Sequence, residues 1–360
     1  MPENSSILPK APFDAPEVVQ RLLEFPEAYS VFSSLPPDNR KEFLDFCCGH
    51  TGVYLCYDTF FKKIFDPFVH PKRLEKFISA LLGQPVTIIE IIPNEGFRLS
   101  DRGSFVVVDI VVRLSDSSIL NIEMQKNGYD FSGKRFDCYS ADLIMREYNR
   151  LRELHGKKFT YQKMPPVLSI ALMESSPGNF HKFPSVYVHR LSMKSDTGIR
   201  LENLTKQVYV ALDIFHAFMQ NKPIETPLEA WLMLLTTRDL GRIEELICKF
   251  PDFSDIYLEI FELRTRPEEL IHMYSNVFLE ADRNTERFMV DELKKEVEQK
   301  TALLSEKDAA ISEKDALLSK KDATIFEKDV AISEKDTLLS KKDALIAELQ
   351  KKLAEANQSS

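Results

Sequence analysis

Two acidic side chains stand in neighbouring segments that otherwise have the pattern of buried β-strands. Asp109 lies in the β-branched run 105–113, and Glu123 lies in the run 119–125. Because strand side chains alternate between two faces, Glu123 and Gln125 share one face of the second run. An acid on so apolar a strand is unusual, and two acids side by side offer the oxygen ligands that hard divalent cations prefer. The pair predicts a metal site.

The length of the hairpin loop between the two runs decides whether the acids meet. An odd-numbered loop centred on Asp116 places Asp109 opposite Glu123, whereas a two-residue loop places Asp109 opposite Met124 and separates the acids. The intervening Leu-Ser-Asp-Ser-Ser segment is suited to a loop of three or five residues. The metal site therefore requires an odd loop.

Composition limits the class of protein. The 360 residues are 44% hydrophobic, which is enough for one or two globular domains. No run of 18 apolar residues occurs, and the first residues lack the basic and apolar regions of a signal peptide. The five cysteines have no disulfide-like spacing, and Cys47-Cys48 with His50 and Cys56 is a poor spacing for zinc. We expect a cytoplasmic protein without a membrane segment.

Charge is unevenly distributed along the chain. The net charge of −9 argues against a general nucleic-acid binder. Residues 134–163, however, hold eight Lys or Arg against four Asp or Glu. This excess either contacts a phosphate backbone or forms a solvated helix face.

Hydrophobic periodicity predicts a mixed α/β sheet flanked by helices. A helix is expected over 57–65 with Asp58 as its N-cap, and another runs from Pro71 to Leu82 and ends at Gly83. The remaining predicted helices are 16–25, 40–48, 133–154 and several within 227–290, and the predicted strands are 86–92, 105–113, 119–125, 167–173, 186–191 and 207–212.

The last part of the chain repeats every seven residues. Aliphatic residues recur at 304, 311, 318, 325, 332, 339, 346 and 353, and no Gly or Pro interrupts them. Lys and Asp occupy the second seam position, as Lys314 and Asp315 do after Ile311, so the apolar stripe is narrow. The pattern predicts a long helix that self-associates, with a solvated single helix as the alternative.

The ordered set of motifs resembles the PD-(D/E)XK nuclease superfamily, and most closely its recombination-promoting nuclease and transposase branch. Three segments carry the resemblance: Asp58-Thr-Phe-Phe-Lys62-Lys-Ile-Phe65, Val-Asp109-Ile, and Ile-Glu123-Met-Gln125 followed by Arg135 and Tyr139. The resemblance extends over residues 55–290 and excludes the N-terminal 50 residues and the heptad repeat.

Two positions depart from the superfamily pattern. Val108 stands where the superfamily has Pro, and Gln125 stands where it has Lys. Gln at the latter position is usual for this branch, but it carries no charge to polarise a water molecule. Lys126 is a poor substitute because strand parity turns it to the opposite face.

The resemblance implies a role for each motif residue. It implies hydrolysis of a phosphodiester with Mg²⁺ held by Asp109 and Glu123, and with Mn²⁺ as a substitute. Gln125 is the third catalytic residue and orients the attacking water. Lys62 and Arg135 contact phosphate. Two secondary candidates remain, namely Asp58, whose favoured role is the helix cap, and Tyr139, whose favoured role is packing.

These inferences give a domain plan and a function. The plan has an N-terminal, partly helical extension (1–54), a nuclease-like core (55–215), a helical region (216–295) and a heptad-repeat helix that forms a coiled coil (296–356). The predicted function is a Mg²⁺-dependent DNA endonuclease that forms a homo-oligomer through its C-terminal helix. The rivals are an inactive nuclease fold that acts as an interaction scaffold, and a nuclease directed at RNA.

Overall fold

The computed structural model describes residues 7–92, 109–127, 132–199 and 202–357. The chain divides into two compact units, Met1–Glu280 and Ala281–Ser360. In the described part of the chain, no helix is both long enough and apolar enough to cross a membrane.

A mixed sheet forms the centre of the first unit, and the predicted α/β class is confirmed. Among the described residues, six strands pair in the order β1-β2-β3-β4-β6-β5. The neighbours β3, β4 and β6 run parallel, while β1, β2 and β5 pair antiparallel. The strands are β1 (Ile88–Ile91), β2 (Ile110–Leu114), β3 (Ile119–Asn127), β4 (Val167–Ser175), β5 (Val188–Leu191) and β6 (Thr205–Ala211).

Helices pack on both faces of this sheet. The predicted helix from Pro71 to Leu82 is confirmed, and Gly83 ends it in the left-handed conformation at φ +73°. The helices are α1 (Ala15–Leu23), α2 (Pro26–Ser34), α3 (Pro37–Cys47), α4 (Asp58–Ile64), α5 (Pro71–Leu82), α6 (Ser132–His155), α7 (Leu212–Met219), α8 (Pro227–Thr236), α9 (Leu240–Lys249), α10 (Ser254–Glu262) and α11 (Pro267–Asn357).

The largest hydrophobic core lies on one face of the sheet. Leu120 and Ile122 of β3 point into it beside Ile170 and Leu172 of β4. Helices from both ends of the first unit complete this core, including the N-terminal helices α1–α3 through buried residues such as Phe43. Residues before position 54 therefore contribute to the same core as the sheet.

Helix α6 covers the opposite face of the sheet. Phe136, Tyr139 and Leu143 of α6 are buried against that face, in two separate apolar clusters. Between the clusters lie polar residues, among them Ser140 of α6, whose hydroxyl lies 3.0 Å from that of Ser169 on β4. The face that carries Glu123 is thus a covered surface and not an exposed edge of the sheet.

Three details of the predicted elements are wrong. Helix α4 begins at Asp58 and its N-cap is Tyr57, which makes no side-chain capping hydrogen bond, so Asp58 is not the cap. Strand β2 begins at Ile110, so Asp109 stands just before the strand, and the predicted strand residues 105–108 lie outside the described part. The helix α2 was not predicted, because its pattern is short and only weakly periodic.

The second unit consists of the greater part of α11. Its repeating aliphatic side chains are half or more exposed, as for Ile311 (56%), Leu318 (56%) and Leu339 (55%). The predicted long helix is confirmed, whereas its association with other chains stays a prediction.

Candidate active site

The hairpin between β2 and β3 has the odd loop that the metal site requires. Ile110 pairs with Ile122 and Arg113 pairs with Ile119, which leaves a three-residue loop, Ser115 to Ser117, centred on Asp116. Ser117 adopts φ +71°, as expected for the last residue of a common three-residue hairpin loop. The same register places Asp109 opposite Glu123.

The two acids hold each other through backbone hydrogen bonds. The Asp109 N–H donates to Glu123 Oε1 at 3.1 Å, and the Met124 N–H donates to Asp109 Oδ2 at 2.9 Å. Each carboxylate is therefore bound by the backbone of the other strand's acidic segment. The structure brings the two predicted metal ligands together on the same face of the sheet.

Two cations flank the acid pair. Lys62 Nζ on α4 lies 3.0 Å from Asp109 Oδ1, and Arg135 Nη2 on α6 lies 4.0 Å from Glu123 Oε2. Both cations retain exposed surface, whereas Glu123 is only 2% exposed. The cations are therefore accessible to solvent, whereas the carboxylate of Glu123 is buried.

Tyr139 supports Arg135. The Arg135 Nε donates to the Tyr139 hydroxyl one helical turn away, and the guanidinium also lies over the ring at 5.2 Å. Burial raises the pKa of Tyr139 to about 12, so the hydroxyl stays protonated at neutral pH. Tyr139 packs, as expected, but it also holds Arg135.

The environment of Glu123 opposes its negative charge. Burial, and then the negative charge of Asp109, raise the pKa of Glu123 well above its ordinary value, although Arg135 and Lys62 act in the opposite direction. Two like charges in a buried site are unfavourable unless positive charge is brought to them.

The carboxylates of Asp109 and Glu123 are chemically suited to bind a divalent cation. The acid pair supplies carboxylate oxygens, the ligands that Mg²⁺ and Mn²⁺ prefer, and the two acids lie on the same face of the sheet. Asp109 and Glu123 are the residues that would hold the ion. Over the described residues, no group of three or more His, Cys, Asp or Glu side chains is gathered in a way that holds a metal.

The remaining predicted residues have different positions. Gln125 is buried on the same face as Glu123, two residues along β3. Lys126 is exposed and influences Glu174, which lies on the sheet face opposite to Glu123. Asp58 is the first residue of α4, and its side chain lies outside the described part.

The weak zinc alternative finds no support. Cys47 and Cys56 are buried in the main core, and the Cys56 thiol donates to the carbonyl oxygen of Leu235 at 3.3 Å. His50 is exposed and lies 3.5 Å from Asp45. These residues are structural.

Sequence reasoning missed the ionic network next to the site. Arg113 of β2 is buried and donates two hydrogen bonds to the buried Glu147 of α6, at 3.1 and 2.9 Å. Glu147 also accepts two hydrogen bonds from Arg150, and Arg113 contacts Glu90 of β1. The alternation of side chains along β2 could have indicated this network. It places Arg113 on the same face as Asp109, and a buried arginine requires a partner of opposite charge.

Comparison with known proteins is consistent with this geometry. A family model described as a PD-(D/E)XK nuclease family transposase matches residues 55–287. Neither the curated proteins nor the solved structures contain a match to the chain. The matched segment includes every residue of the acid pair and its flanking cations.

Proposed function

Because the chain belongs to the family of PD-(D/E)XK nuclease transposases, we propose that it is a Mg²⁺-dependent endonuclease of the recombination-promoting type, which hydrolyses phosphodiester bonds of DNA. The observation that supports this proposal best is the convergence of Asp109 and Glu123 on one face of the hairpin, with Lys62 and Arg135 at the edge. Carboxylates that bind a metal, next to cations that bind phosphate, are what such hydrolysis requires.

Asp109 and Glu123 are the proposed ligands. A bound divalent cation would lower the pKa of a water molecule and stabilise negative charge on the scissile phosphate. The hydrogen bonds from the Asp109 and Met124 amides hold the two carboxylates before any ion binds. The site is therefore organised by the backbone rather than by flexible side chains.

Gln125 and the two cations have supporting roles in this proposal. Gln125 shares the face of Glu123 and is buried, so its amide is placed to orient a water molecule by hydrogen bonding. Lys62 and Arg135 would exchange their present contacts with the acids for contacts with phosphate oxygens.

The proposed setting is the cytoplasm, where the free cysteines of the described residues would stay reduced. The heptad repeat of α11 is proposed to join copies of the chain into a homo-oligomer. Two active sites in one oligomer would allow cuts in both strands, and a single site is sufficient for nicking.

Plasmid cleavage tests the proposal. Asp109→Asn and Glu123→Gln keep the size of each side chain and remove a charge, and each is expected to lower the cleavage rate at least about 100-fold, because several kcal/mol of metal-derived stabilisation are lost. The assay follows nicked and linear products from supercoiled DNA with Mg²⁺ and, separately, Mn²⁺.

A control variant and the activity of the natural sequence complete the cleavage assay. Asp116→Asn alters an acid in the hairpin loop and is expected to retain cleavage. Cleavage that persists in both site variants would contradict the assignment, and the absence of cleavage by the natural sequence with either ion would favour the inactive scaffold. The same assay with RNA distinguishes an RNA-directed nuclease.

A further inference from the structure

The basic cluster that the sequence shows over 134–163 has two parts in the structure. Towards the acid pair, Lys134 is exposed and the arginines are engaged with carboxylates: Arg135 with Glu123, Arg146 with Asp142, and Arg150 with Glu147. These three guanidinium groups belong to the active site and to the ionic network of α6.

The other part lies at the end of α6 and in the two short 3₁₀ turns that follow, Gly156–Lys158 and Tyr161–Lys163. Its cations are Arg152, Lys157, Lys158 and Lys163, and none of them forms an ion pair with a described residue. Residues 154–173 contain no Asp or Glu. Glu153 is the only Asp or Glu in residues 152–173, so the four cations leave this end of α6 with a net positive charge.

Three aromatic rings stand among these cations. The rings of Tyr148 and Tyr161 are stacked, with centroids 6.3 Å apart and planes inclined by 18°, and Phe159 meets both edge-on at 5.3 and 5.6 Å. The Arg152 guanidinium lies over Tyr148 and Phe159 at 5.9 and 5.8 Å. Tyr161 is 76% exposed. We call this group, Tyr148, Arg152 and residues 157–163, the aromatic corner.

The aromatic corner is not part of a core. Tyr148, Phe159 and Tyr161 lie outside the three apolar clusters of the described residues. An exposed ring that is held flat against a second ring, with an arginine over that second ring and exposed lysines close by in the sequence, has the form of a platform on which an unpaired base stacks while phosphates meet the cations.

We propose that the aromatic corner binds single-stranded DNA, with an unpaired base stacked on Tyr161 and phosphates contacted by Lys157, Lys158 and Lys163. This proposal rests on the nuclease function for the class of its ligand. It adds a contact surface apart from the acid pair, and it makes unpaired DNA a preferred part of the substrate.

Helix α6 sets the spacing between the two places. Arg135 and Arg152 are separated by 17 positions on one helix, which corresponds to about 25 Å along its axis at 1.5 Å per residue. At the 3.4 Å per nucleotide of a stacked strand this distance corresponds to about seven nucleotides, and an extended unpaired strand covers it with fewer. A dinucleotide is expected to bind to only one of the two places.

Fluorescence anisotropy of the full-length protein with labelled (dT)20 in EDTA tests the proposal without cleavage. Tyr161→Ala is expected to weaken binding at least about fivefold, because base stacking is lost, whereas Tyr161→Phe keeps the ring and changes the affinity less than about twofold. Binding to a 20-base-pair duplex is expected to change less than about twofold in either variant.

Charge removal provides the second measurement. Replacing Lys157, Lys158 and Lys163 together by Gln is expected to reduce the slope of log affinity against log salt by about 2, since single-stranded DNA contributes about 0.7 for each neutralised phosphate contact. Lys41, Lys194 and Lys249 are likewise exposed, and their joint replacement by Gln is the matched control, with an expected slope change below about 0.5.

Each result supports or contradicts the proposal that the aromatic corner binds single-stranded DNA. Unchanged (dT)20 affinity in Tyr161→Ala, an equal loss of duplex affinity, or an equal effect of the control triple would overturn the proposal, as would tighter binding of (rU)20 than of (dT)20. A protein that binds (dT)20 through Tyr161 but cleaves no DNA would contradict the proposed nuclease and leave the aromatic corner standing.

Discussion

At the scale of single residues, the acid pair and its two cations form a balanced set of charges. Lys62 Nζ lies 3.0 Å from Asp109, and Arg135 Nη2 lies 4.0 Å from Glu123. The cations partly offset the repulsion between the acids, yet the pKa of Glu123 is still raised by burial and by Asp109. Substrate phosphate and a metal ion would thus replace contacts that the site already makes.

Lys62 and Lys63 provide a matched comparison on α4. Lys62→Met removes the cation beside Asp109, so plasmid cleavage is expected to fall about 10- to 100-fold because a charge-assisted contact to phosphate, worth about 1.5–3 kcal/mol, is lost. Lys63 is the exposed neighbour, and Lys63→Met is expected to stay within about twofold. Equal rates for the two variants would exclude a role for Lys62; thermal melting checks that both proteins are folded.

At the scale of elements, the β2–β3 hairpin and helix α6 position the acids. The three-residue loop sets the register, and a register shifted by one residue would turn Asp109 and Glu123 away from each other. Helix α6 then covers the polar face and brings Arg135 to Glu123. The positions of the two acids and of Arg135 follow from this turn and this helix, and helix α4 supplies Lys62.

The loop contains a residue whose replacement is expected to stabilise the protein. Ser117 has φ +71°, a conformation in which glycine meets no steric penalty. Ser117→Gly is expected to raise the free energy of unfolding by about 0.5 kcal/mol, measured by urea denaturation. Ser115, in the same loop, does not have a positive φ, so Ser115→Gly is the control and is expected to be neutral or destabilising. A Ser117→Gly variant that is less stable than the natural sequence would show that Ser117 is not strained.

The Arg113–Glu147 pair attaches α6 to the sheet. Glu147→Gln leaves the buried Arg113 with only the half-exposed Glu90 as a carboxylate partner, and we expect a loss of about 2 kcal/mol in unfolding free energy, measured in urea. The double variant Arg113→Met/Glu147→Leu removes both charges and is expected to recover most of that loss. A double variant as unstable as the single one would show that packing, rather than the unpaired charge, is responsible.

The same pair gives a pH dependence of known sign. Burial alone raises the pKa of Glu147, but hydrogen bonds from Arg150 and Arg113 outweigh burial, and the pKa lies below its ordinary 4.5. A lowered pKa in the folded state means that the stabilisation is present above pH 4.5 and is lost as the pH falls through the lower value. Glu147→Gln should therefore flatten the acid side of the stability profile.

At the scale of the whole molecule, the chain combines a compact unit with a long helix of repeating sequence. The first unit contains the acid pair, the ionic network and the aromatic corner, and the second unit is the heptad-repeat part of α11. The exposed aliphatic residues of that repeat, such as Ile311 and Leu339, are available to a second copy of the helix.

Truncation after residue 295 separates the two units in function. The full-length chain is expected to have the mass of an oligomer in size-exclusion chromatography with light scattering, and the truncated chain that of a monomer, because the apolar stripe is removed. Cleavage per active site should change little in the truncated chain, since the acid pair lies within the first unit. An unchanged oligomeric mass would contradict association through α11 and favour the solvated helix.

Local patterns in the sequence determined much of this protein by themselves. Alternation along β3 set which residues share a face with Glu123, the turn residues around Asp116 limited the loop length, and Gly83 marked the end of α5. These features depend on neighbours within a few positions, so strand parity, turn chemistry and helix capping are sufficient to predict them.

Only the tertiary structure decided what surrounds the acids. Lys62 and Asp109 are 47 positions apart, Arg113 and Glu147 are 34 apart, and no local pattern identifies the partner in either contact. The same holds for the N-terminal helices, which complete the main core, and for α6, which turns a polar strand face into a buried one. Such contacts arise when distant apolar surfaces are removed from water together, and a pattern read along one segment does not specify which other segment will cover it.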